Sequence, residues 1–105
     1  MADSLGDLAR QWADTIKELT KAANDYQKAK DKREPAEKKV DDLTRQLFRD
    51  PDDADLRRRR DKAEDRFREA ERDEAAKKGE LGKKLQQFTE AQERFMRALW
   101  SSLTK

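Results

Sequence analysis

Apolar residues hold six of the seven positions met in steps of seven from Leu5 to Leu47, and this repeat leaves the chain very few folds. Stepping by seven from Leu5 meets Leu5, Trp12, Leu19, Tyr26, Arg33, Val40 and Leu47. Three residues after each of the first six stand Leu8, Thr15, Ala22, Ala29, Ala36 and Leu43, with Ile16 and Ala23 widening the stripe on one side. A period of seven sustained this long turns one face of an α-helix toward a partner helix, the signature of a coiled coil. Ser4, three residues before Asp7, is placed to cap that helix at its start. Pro35 lies off the stripe, and the phase is the same before and after it, so a bend is expected there and not a boundary.

The repeat stops at Arg49-Asp50-Pro51-Asp52-Asp53. A residue before proline disfavours helical angles, which ends the first helix near Arg49. Asp50 at the cap, Pro51 at the first helical position and the acids behind them predict that a second helix begins at once. Its own stripe runs through Arg60, Phe67, Glu74, Leu81, Phe88, Phe95 and Ser102, with Leu56, Ala63, Ala70, Ala91 and Ala98 as the second line and Leu85 and Leu99 alongside. Two helices of similar length joined tightly make an antiparallel hairpin. The expectation is a single all-α domain over residues 1–105, with helices at about 4–49 and 51–104 and a turn at about 49–53. Each helix would be roughly 70 Å long at about 1.5 Å per residue. Folding about the turn sets Leu47 near Leu56, Val40 near Ala63 and Ala36 near Phe67, and it brings Arg33 and Glu74 together as a seam pair whose value is register.

Composition excludes most chemistry. Charged residues are 48% of the 105 and the hydrophobic types only 33%, so the chain has material for a narrow stripe and not for a globular core. Cysteine and histidine are both absent, which removes thiolate and imidazole catalysis and the usual zinc sites. No enzyme, cofactor or metal site is expected. Lys and Arg outnumber Asp and Glu by 26 to 24, too even a balance to expect a nucleic-acid partner. The start of the chain lacks the apolar core of a signal peptide, and no run is long enough to span a bilayer. A cytoplasmic protein, at most peripheral to a membrane, is expected.

Two surfaces stand out as candidates for function. Near the termini Leu5, Leu8, Trp12, Ile16, Phe88, Phe95, Met96, Leu99, Trp100 and Leu103 are more apolar surface than two helices can cover for each other, which points to homodimerisation into a helical bundle or to a helical protein partner. Trp12 and Trp100 are expected in the core of that cluster. Near the turn, Lys38, Lys39, Arg45, Arg49, Arg57, Arg58, Arg59, Arg60 and Lys62 form a basic tip. It is either a solvated helix end balanced by Asp50, Asp52, Asp53, Asp55 and Asp61, or an anion-binding surface suited to acidic lipid headgroups. Gly79 and Gly82 mark a weak spot in the second helix, and whether they break it is left open.

The stretch from Leu19 to Leu43, the polar turn, and the stretch from Arg57 to Leu103 resemble the distal two helices of BAR domains. The likeness lies in a tyrosine within a basic helix that carries a proline, a short charged turn, and a last helix reading Leu85, Phe88, Ala91-Gln92, Phe95, Ala98-Leu99. It implies a membrane-binding scaffold that dimerises, with Arg57, Arg58, Arg59 and Arg60 at the lipid-contacting end of the arm. The length and topology are also similar to the small secreted hairpins of the WXG-motif family and to adaptor, secretion-chaperone and phage-scaffolding hairpins.

Overall fold

The structure is a computed structural model that describes residues 3–105. The chain forms the expected all-α antiparallel helical hairpin. Among the described residues there are two helices, α1 (Leu5–Arg49) and α2 (Ala54–Thr104), and no strand. Ser4 caps α1: its Oγ accepts a hydrogen bond from the Asp7 amide at 3.1 Å. α1 runs unbroken through Pro35, which is exposed, so the carbonyl that loses its helical donor can be hydrated. α2 runs unbroken through Gly79 and Gly82, which neither adopt positive φ nor meet a neighbour where a Cβ would stand. The helix tolerates them at a cost of about 1 kcal/mol each against alanine.

The start of α2 departs from the sequence expectation. The helix opens at Ala54, and its cap is Asp53, not Asp50. Asp53 Oδ1 accepts from the amides of Asp55 at 3.0 Å and Leu56 at 3.1 Å, while the Asp53 carbonyl accepts the first helical bond from the Arg57 amide at 3.2 Å. Asp50-Pro51-Asp52 instead form the turn, closed by the Asp53 amide on the Asp50 carbonyl at 3.3 Å. Either aspartate could cap by composition. The closing turn needs residues of its own, and that moves the cap three positions on. Asp53→Ala should therefore cost about 1 kcal/mol of stability, whereas Asp50→Ala should cost less than half of that, both read by urea unfolding. Equal losses would overturn this assignment of the cap.

Packing divides the chain into two compact units. One joins the chain up to Asn24 to the chain from Lys78 onward; the other is Asp25–Lys77 and holds the turn. In each, the stripe residues of one helix face those of the other, and every position of the two heptad lines from Leu5 to Leu47 is half-buried or buried, while Ile16 and Ala23 at the stripe's edge are exposed. The most deeply buried side chains are Ala22, Ala29, Leu43, Ala63 and Ala91, all on the second line of their stripe. The physical reason is size. A single partner helix covers a methyl group readily, so four of the five are alanines and Leu43 alone among the larger side chains joins them, while the aromatic rings stay half-buried or exposed. No large side chain is fully buried among the described residues. Ser102, expected on the stripe, is exposed, and the half-buried Lys77 and Lys84 occupy second-line positions of α2.

Candidate functional site

In the terminal unit the seam is built around Trp12. Its ring lies 5.6 Å from Phe95 and 6.2 Å from Phe88, centroid to centroid, both tilted. Phe88 and Phe95 are one heptad apart, so Trp12 enters the space between them as a knob enters a hole. Its Nε1 is buried without an acceptor among the described residues. Leu5, Leu8, Phe88, Phe95 and Leu99 are half-buried along the same seam. The remaining members of the apolar set are not. Ile16, Met96, Trp100 and Leu103 are exposed, Trp100 by 69% and Leu103 by 72%. Trp100 is thus no core residue, contrary to expectation, because it stands two positions beyond the stripe and α1 cannot reach it.

These exposed residues share one flank. In an antiparallel pair the position after d on one helix borders the same position on the other, and the two remaining border positions meet on the opposite side. On the first side lie Ala9, Ile16 and Ala23 from α1 with Leu85, Gln92 and Leu99 from α2, continued outward by Met96, Trp100 and Leu103. Met96, Arg97, Leu99, Trp100 and Leu103 line an open groove of about 500 Å³ there. The opposite flank carries Gln11, Glu18, Glu80, Gln87, Arg94 and Ser101, with Lys84 paired to Glu18 at 3.5 Å. One side of this unit is therefore apolar and unpartnered, and the other is polar.

In the unit that holds the turn, Arg33 and Glu74 meet as expected. Arg33 Nε donates to Glu74 and Nη1 to Glu37, with the Arg33 and Glu74 side chains 23% and 18% exposed. The hydrogen bond that Arg33 donates to Glu74 is the main influence raising it above the ordinary guanidinium value; desolvation opposes it and Glu37 adds to it. The guanidinium stays charged throughout, so the seam carries a permanent cation that Glu74 must answer.

The basic residues do not converge on one plane, since consecutive positions wrap around a helix. Arg57 donates to the Pro51 carbonyl at 2.6 Å and Arg60 to Thr44 Oγ1 at 3.3 Å. Both line a groove of about 550 Å³ with Thr44, Leu47, Phe48, Pro51 and Asp61. Arg59 faces the other flank and pairs with Asp55 at 3.5 Å, while Arg45 approaches Asp42 at 3.9 Å. Lys38, Arg49 and Arg58 are exposed without an ion-pair partner among the described residues. Lys39 and Lys62 are exposed on the Arg59 flank.

Phe48 is the residue that sequence reasoning passed over. It is 90% exposed beside Arg45 and Arg49, so this end of the hairpin is not all charge. The available signal was an aromatic one step off the stripe, next to the turn, where no helix follows to cover it. Among the described residues no group of carboxylates is arranged to hold a metal ion, and no helix is long and apolar enough to cross a membrane. No family model, curated protein or solved structure matches the chain.

Proposed function

We propose that this chain is a non-enzymatic helical scaffold that self-associates through the apolar flank of its terminal unit and binds anionic membrane surfaces, in the manner of BAR arms, through the basic residues of the unit that holds the turn. The observation that carries the reading is the one-sided exposure of Ile16, Leu85, Met96, Trp100 and Leu103. A contiguous apolar flank beside a polar one is costly in water, at about 25 cal/mol per Å² of apolar surface left uncovered. A second hairpin laid on the same flank would complete a bundle core. Support for the membrane part is the company Phe48 keeps: an aromatic ring in solvent that shares a groove with Arg57 and Arg60 combines the apolar and cationic elements that an acidic lipid interface accepts.

The test of self-association is sedimentation velocity on the purified chain beside Leu85→Glu/Met96→Glu. Both substitutions fall on exposed positions, so each hairpin should keep its fold by far-UV circular dichroism. The unaltered chain should sediment as a dimer at micromolar concentration, with at least a tenfold weaker association in the double variant. An unaltered chain that stays monomeric at this concentration would sink the scaffold reading. The flank would then favour the second reading, an adaptor or chaperone hairpin that takes a helical segment of another protein into the groove around Trp100.

A further inference from the structure

On the flank opposite Phe48, the unit that holds the turn has a second groove, of about 330 Å³, lined by Lys39, Leu43, Arg59, Lys62, Ala63 and Arg66. Four of these six residues are cations, drawn from both helices, and none is a carboxylate. The floor is Leu43 and Ala63, 7% and 4% exposed, which keeps the seam side of the groove dry. Arg33, Arg60, Arg68 and Lys84 have carboxylates within ion-pair distance, while other cations, such as Lys38 and Arg58, stand exposed without one among the described residues and outside this groove. Here only Arg59 has one, Asp55, while Lys39, Lys62 and Arg66 have none among the described residues. Like charges brought together beside a low-dielectric floor repel, and a multiply charged anion relieves that repulsion. Arginine adds the planar donor fork that matches phosphate oxygens, and lysine adds point charge.

We propose that the Lys39–Arg59–Lys62–Arg66 groove is a binding site for a multiply charged phosphate, either a soluble one or a phosphorylated lipid headgroup. Arg66 and Arg59, one heptad apart on α2, take the phosphate oxygens from one side, and Lys39 closes the groove from α1. The lipid form of the site rests on the membrane reading above; the soluble form does not.

Two arms test it on the intact chain. In the first, thermal unfolding is followed with pyrophosphate and with sodium chloride at matched ionic strength, for the unaltered chain, for Lys62→Gln/Arg66→Gln, and for Lys28→Gln/Arg72→Gln. The last pair removes the same charge from the same unit outside the groove. Pyrophosphate should raise the melting temperature of the unaltered chain and of the control by about 5 °C or more, and the groove variant should show no such rise. Equal shifts in all three, or none in any, would overturn the groove. In the second arm the three proteins are sedimented with phosphatidylcholine vesicles containing phosphatidylinositol 4-phosphate or phosphatidylserine. Preference for the phosphoinositide, lost in the groove variant and competed by pyrophosphate, assigns the lipid source. Pyrophosphate stabilisation without vesicle binding assigns the soluble source and removes the membrane reading alone. Vesicle binding equal in all three proteins supports the membrane reading and rejects a lipid role for the groove.

Discussion

Trp12→Ala should lower the stability of the chain by about 3 kcal/mol, the low end of the range for removing a large aromatic from a core. The discount is for a ring that is only half-buried. Both aromatic pairs, Trp12 with Phe95 and with Phe88, disappear together, and no other side chain fills the space between two rings a heptad apart. A melting temperature lower by more than roughly 10 °C is expected, by far-UV circular dichroism. Trp12→Phe should behave differently. It keeps a ring between Phe88 and Phe95 and removes an indole N–H that is buried without an acceptor, so the loss should stay within about 1 kcal/mol. An alanine variant that melts within two or three degrees of the parent would mean that the aromatic cluster is not the core of the terminal unit. Because Trp12 packs within one chain, its removal tests the hairpin; self-association is tested on the exposed flank instead.

The second large effect is a change of sign in the seam of the other unit. Glu74→Leu should lower the melting temperature by roughly 5 °C, since Arg33 is then answered only by Glu37, which is the more exposed partner. Arg33→Leu alone should also destabilise, by leaving Glu74 facing the seam without its cation. The double variant Arg33→Leu/Glu74→Leu should melt at or above the parent, because an apolar pair replaces an ion pair that had to be stripped of water. The same double variant should lose uniqueness: a continuous apolar seam admits shifted pairings, visible as several species in native mass spectrometry. Additive losses in the two single variants and the double would show that the pair does not act as a unit.

Much of the fold was legible because a heptad repeat is a local code. Leu5 to Leu47 and Leu56 to Ala98 declare their faces by spacing alone, Pro35 leaves the phase untouched, and an acidic stretch with proline declares a turn. Arg33 and Glu74 pair as the spacing implies, since two straight stripes folded about a turn have one register. The cap was less legible. Asp50 and Asp53 are chemically equivalent, and the choice between them depends on how many residues the turn consumes. Gly79 and Gly82 suggest a break by propensity, yet the helix on either side carries them through.

The candidate surfaces divide the same way. Composition determined that catalysis by cysteine or histidine is closed to this chain and that its charges nearly cancel. Periodicity determined two helices, their faces and their antiparallel pairing. Only the tertiary structure decided which apolar residues the partner helix covers, leaving Trp12 in the seam and Trp100 in solvent, and which cations meet across the helices. A run such as Arg57 to Arg60 reads as one patch along the chain. The helix turns by about 100° per residue, so the run is dealt out to opposite flanks: Arg57 and Arg60 beside Phe48, and Arg59 with Lys39, Lys62 and Arg66. Neighbours in sequence are separated by the helix, and residues twenty or more apart are joined by the hairpin. That is why the shape could be read from spacing while the surfaces had to be seen.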